Sequence, residues 1–160
     1  MRLAVLVLCA APAAGAAACP DLTVLSCTLD QGAKRLQVCQ AGNALTYRYG
    51  ANGQPAELAL TEPLANGTYI PWTGVGSAIW ESARFNAKGY SYETWASADR
   101  QAPGTPLGGG VNVLQGAKTI AALTCDPGSV QAGFTALFAV MENQGYCYDR
   151  TLFGWATRCD

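Results

Sequence analysis

The sequence predicts a mainly β protein: an antiparallel sandwich or small barrel of about eight strands, with one C-terminal α-helix. Three observations predict it. Between residues 22 and 124, short alternating apolar segments recur, separated by clusters of Gly, Asn, Asp and Pro. That is the pattern of strands joined by turns. A helical apolar period appears only after residue 129. Six cysteines follow an N-terminal segment of export type, as in a disulfide-stapled exported domain.

The chain opens Met1-Arg2, continues with an apolar run over residues 3–11 and then a small-residue tract over 13–18. A basic start, a short apolar middle and an A-x-A-like end make a signal peptide over residues 1–18, cleaved after Ala16, Ala17 or Ala18. The run is far shorter than the roughly 20 residues of a membrane-spanning helix. Residues 19–160 are then expected to form a single disulfide-stapled domain, periplasmic or secreted.

The expected strands cover residues 22–28, 34–40, 44–49 and 56–61, then 77–85, 89–96, 111–114 and 119–124. Asp30-Gln31-Gly32, Ala41-Gly42-Asn43 and Asn52-Gly53-Gln54-Pro55 divide the first four, each rich in residues that tolerate turn geometry. Leu45, Tyr47 and Tyr49 alternate with Thr46 and Arg48, as a half-buried strand requires. Asn86-Ala87-Lys88 and Gln115-Gly116-Ala117 turn the later pairs. Two long loops, 62–76 and 97–109, interrupt the series. Val130, Phe134, Leu137, Phe138 and Met141 then share a helical face, with Ser129 as the expected cap and Gly145 as the stop.

The cysteines outside the signal are Cys19, Cys27, Cys39, Cys125, Cys147 and Cys159. Spacing alone leaves their connectivity open. A hairpin centred near Ala33 favours Cys27–Cys39. The same spacing in the tail favours Cys147–Cys159, and Cys19 with Cys125 remains. No close C-x-x-C pair and no histidine occurs, so neither a zinc site nor a redox motif is expected. No metal or cofactor is expected.

Charged residues are 13% of the chain and the net charge is −1, against about a quarter charged in ordinary domains. Without a basic run, a nucleic-acid surface is not expected. The missing histidine excludes Ser-His and Cys-His nucleophile systems. Paired carboxylates could still hydrolyse a glycoside, with Glu57, Glu62, Glu81, Glu93, Asp99 and Asp126 as the candidates, but they are scattered in sequence.

Aromatic residues on a Gly/Pro-framed loop either pack inward or meet a partner. Tyr69 and Trp72 on the 69–76 loop are therefore the candidate binding residues. Arg84, on a neighbouring strand, could reach a carboxylate inside the protein or on a target.

Cys27 with Gly32-x-Lys34 and Cys39, Tyr47-Arg48-Tyr49-Gly50, Glu57-Leu58, Trp72-x-Gly74-x-Gly76, Gly89-Tyr90-x-Tyr92 and Gly109-Gly110-Val111-x-Val113 resemble a group of small secreted bacterial proteins, mostly of unassigned function. The layout is also similar to that of the periplasmic lysozyme inhibitors, although their short loop motif around a Ser or Lys has no clear counterpart here. The resemblance implies insertion of a loop residue into an acidic catalytic cleft. The expected function is a periplasmic binding or inhibitor module whose partner is another exported protein or a cell-envelope component. The alternatives are a structural envelope-associated protein and a carboxylate-based hydrolase.

Overall fold

Turn residues divide the chain into twelve strands and one α-helix in a computed structural model that describes residues 18–158. The first turn holds Asp30, Gln31 and Gly32 at φ 53°, 55° and 89°, and it reverses β1 (Leu22–Leu29) onto β2 (Lys34–Ala41). β3 (Ala44–Ala51) and β4 (Leu58–Pro63) continue the meander. A second meander runs through β5 (Tyr69–Ile70), β6 (Ala78–Ala87), β7 (Tyr90–Asp99), β8 (Gly108–Gln115) and β9 (Lys118–Thr124). Then come β10 (Gln131–Ala132), α1 (Phe134–Asn143) and a terminal hairpin of β11 (Cys147–Asp149) and β12 (Gly154–Ala156). All eight expected strands form, some longer than their sequence pattern marks.

β10-β1-β2-β3-β4 make one five-stranded sheet and β5-β6-β7-β8-β9 the other. Their inner faces meet in a sandwich-like layout. Tyr47 of the first sheet packs its ring 5.5 Å from Phe85 and 5.7 Å from Tyr92 of the second. Leu25, Leu36, Val38 and Val111 are fully buried in the same core. Burying one such aliphatic side chain stabilises the fold by about 1.5–3 kcal/mol. α1 buries Phe134, Leu137 and Met141 in this core. Among the described residues no helix is long and apolar enough to cross a membrane, and no cluster of acidic or cysteine side chains could hold a metal.

The helix starts later than its apolar period implies. Ser129 is not its cap. The Ser129 hydroxyl instead donates to the Asp126 carbonyl at 2.7 Å and accepts from Thr28 N–H at 3.2 Å. Gln131 and Ala132 pair with Ser26 and Leu25 of β1, and Gly133 N–H donates to the Val24 carbonyl at 2.9 Å. These bonds hold the backbone extended until residue 133, so Val130 precedes the helix. At the other end Gly145, at φ 87°, stops α1 as expected,.

The disulfides also differ from expectation. Cys19 bonds Cys39 and Cys27 bonds Cys125, in place of Cys27–Cys39 and Cys19–Cys125. The reason is register. β1 turns around residues 30–33 so that Cys27 faces Leu36, and an irregularity near Val24 sets Cys39 against Thr23. Cys27 and Cys39 therefore sit well apart along the ladder, beyond disulfide reach. Cys147 is disulfide-bonded; its expected partner Cys159 lies outside the described residues, as does most of the expected signal segment.

Asp126 reinforces the Cys27–Cys125 junction. Its carboxylate accepts from Thr28 Oγ1 at 2.7 Å, Gln31 N–H at 3.0 Å and Gly32 N–H at 2.8 Å. It thus holds the turn whose two non-glycine residues have left-handed backbone,. The Thr28 hydroxyl, then the Gln31 and Gly32 amides, keep the Asp126 carboxyl below its ordinary pKa, against an opposing desolvation,.

Candidate functional site

The three candidate contacts do not form one surface. Tyr69 faces inward, opposite Ala83, and is 1% exposed. Its ring stacks on Phe134 at 5.9 Å and on Trp155 at 5.7 Å. A fully covered ring cannot anchor a partner, so Tyr69 belongs to the core. Arg84 faces outward and pairs with Glu93 directly across β6–β7. Trp72 lies in the loop beyond the end of β5, against Val75 and Arg100. Arg84 and Trp72 therefore belong to separate places.

Trp72 braces its own loop. Its indole N–H donates to the Val75 carbonyl at 3.0 Å. The Arg100 guanidinium lies 4.9 Å from the Trp72 ring centre and donates to the Gly76 carbonyl at 3.1 Å. Such a cation–π contact contributes about 0.5–1 kcal/mol at an exposed site. Gly74 and Gly76, at φ 89° and 96°, supply the left-handed turns the loop needs,. Val75 at the tip is 79% exposed.

A second loop is tied to the first. The turn between β11 and β12 carries Arg150, whose guanidinium donates to the Thr73 carbonyl at 3.1 Å. Asp149 caps this turn by accepting from Thr151 N–H at 2.7 Å and Leu152 N–H at 3.0 Å. Those amides hold its carboxyl below the ordinary carboxylate range. Leu152 is 79% exposed and Phe153 62%. Phe153 also adopts φ 52°, a backbone region that costs a non-glycine residue on the order of 1 kcal/mol. Two joined loops thus present three large apolar side chains to solvent, beside two guanidiniums.

The hairpin carrying Leu152 and Phe153 is docked on the core through Trp155. Its indole N–H donates to the Tyr69 carbonyl at 2.7 Å. Its ring packs 5.2 Å from Phe138 and 5.2 Å from Tyr148. Sequence reasoning missed this hairpin and with it Arg150, Leu152, Phe153 and Trp155. The available signal was Cys147-Tyr148-Asp149 and Gly154-Trp155-Ala156 flanking the four-residue segment Arg150-Thr151-Leu152-Phe153.

A pocket of about 170 Å³ opens between β6, β7 and the start of α1. Ile79, Ala98, Leu107 and Phe134 form its apolar walls, and Glu81 supplies its one carboxylate. Burial first, and the Glu81 charge second, raise the Tyr69 hydroxyl well above the usual tyrosine range, so it remains a donor. It shares its hydrogen between Glu81 Oε1 at 2.8 Å and the Phe134 carbonyl at 2.9 Å. The other candidate acids are engaged elsewhere. Glu57 pairs with Lys34, Glu62 accepts from Asn66 and Asn86, Glu93 pairs with Arg84, and Asp99 accepts from Gln101 N–H. This pocket therefore lacks the second carboxylate that glycoside hydrolysis needs.

No protein-family model matches the chain, and no curated protein or solved structure does either.

Proposed function

We propose that this chain is an exported recognition module of inhibitor type, a stapled β-sandwich that offers the 71–77 loop and the 150–153 turn to another exported protein. The observation that carries this reading is the exposure of Val75, Leu152 and Phe153 on two loops held together by Arg150. Apolar side chains displayed on braced loops gain by burial against a partner and lose little entropy on binding. Arg100 and Arg150 beside them suit a partner surface that carries carboxylates. Two disulfides accord with an oxidising compartment, periplasmic or extracellular,.

A photo-crosslinking residue placed at Leu152 in the oxidised protein tests the reading in envelope extract. Lys118, exposed at the start of β9, serves as the control position. The reading requires a discrete crosslinked protein from position 152 and none from 118. Equal labelling at both positions, or none at 152, would contradict it. Inhibition of a lysozyme, weakened by Leu152→Asp, would identify the target class.

A further inference from the structure

Glu81 projects from the inward face of β6 into the pocket, and its carboxylate is under-used. Oε1 receives only a share of the Tyr69 hydrogen, since the Phe134 carbonyl takes the other share. Oε2 has Thr135 Oγ1 at 3.4 Å, a long contact. Among the described residues the ion pairs are Lys34–Glu57 and Arg84–Glu93, so no lysine or arginine neutralises Glu81. The positive end of α1 beside Thr135 offsets part of that charge. It leaves acceptor capacity on both oxygens, facing a space with apolar walls. A carboxylate in such a setting favours a ligand that brings both a cation and apolar surface.

We propose that this pocket binds a primary ammonium group carried on a short alkyl chain, the chemistry shared by a lysine side chain and a free alkylamine. The ammonium donates to the Glu81 oxygens, and the methylenes lie against Ile79, Leu107 and Phe134. The size fits. A cavity of roughly 150 Å³ takes a benzene-sized guest, and four methylenes with one nitrogen are comparable in bulk. The Tyr69 hydroxyl, at 2.8 Å from Oε1, positions the carboxylate at the pocket wall and leaves Oε2 to the ligand. This inference does not depend on the loop surface, which lies on other residues.

The test is an NMR titration of the oxidised protein with n-butylammonium, with Nα-acetyl-lysinamide and with 1-butanol as the neutral counterpart. Both amines are expected to give saturable shifts at Ile79 and Thr135, and butanol to bind at least ten-fold more weakly. Glu81→Gln is expected to weaken amine binding at least ten-fold. Ala98→Leu fills the pocket while keeping the carboxylate and is expected to do the same. If Glu81→Gln fails to fold, Ala98→Leu carries the test. Tighter binding of the lysinamide assigns the natural ligand to a partner's lysine, and tighter binding of butylammonium assigns it to a free amine. Equal binding of butanol, undiminished amine binding by folded variants, or no saturable shift at millimolar amine overturns the proposal.

Discussion

Phe153 combines a left-handed backbone with an exposed ring, two unfavourable features on one residue. Neither helps the isolated fold, so both are removable at the level of stability. Phe153→Gly is expected to leave stability unchanged or raise it by up to about 1 kcal/mol in urea denaturation, while reducing crosslinking from position 152. A clear loss of stability would place the ring among the core contacts instead. Asp126 makes the opposite case, a polar side chain that holds structure. Its folded pKa lies below its unfolded one, so its contribution is complete above the ordinary carboxylate value of about 4 and fades as pH falls through the lower folded value. Asp126→Asn should lower the melting temperature at pH 7 and flatten its fall below about pH 4. Parallel acid profiles for the two proteins would show that the carboxylate does not hold the turn.

At the scale of elements, the β10–α1 junction depends on a close backbone approach. A Cβ on Gly133 would lie 2.4 Å from the Thr23 carbonyl oxygen, so alanine there must push β10 away from β1. Gly133→Ala is expected to destabilise by about 1–3 kcal/mol, measurable as a lower urea midpoint with unchanged slope. The same junction shows what the sequence could and could not reveal. The eight strands were legible because turn residues such as Asp30-Gln31-Gly32 and alternation such as Leu45-Thr46-Tyr47 are local signals. The stop at Gly145 was legible for the same reason. The late helix start was not, because the bonds from Ala132 and Gly133 to β1 join residues more than a hundred positions apart. The pairing of Cys19, Cys27, Cys39 and Cys125 was not legible either, since a register displacement near Val24 decides which residues face Cys39. The site was legible only in part. Trp72 was marked by its loop, whereas Tyr69 turned inward because β5 pairs with β6 in a register that alternation over two residues cannot set,.

Across the whole molecule, the Cys27–Cys125 bond spans 98 residues and ties the first sheet to the end of the second, whereas Cys19–Cys39 spans 20 and pins the segment before β1 to β2. Chain entropy then ranks them: removing the long bond by paired alanines should cost about 4–5 kcal/mol, and removing the short one about 3 kcal/mol. Thermal melts of the two variants check the order. Equal losses would mean that native packing, and not the length of the closed loop, sets the stabilisation. Such a staple leaves the far loops free to carry apolar side chains that the fold itself does not need. The proposed function requires that these loops meet the partner. Its most direct test is capture from envelope extract by the oxidised protein beside its Leu152→Asp/Phe153→Asp variant, both confirmed folded by their melts. A discrete protein held by the first and lost by the second, with melting temperatures within a few degrees, is the predicted result. The same protein held equally by both, or none held by either, would contradict it.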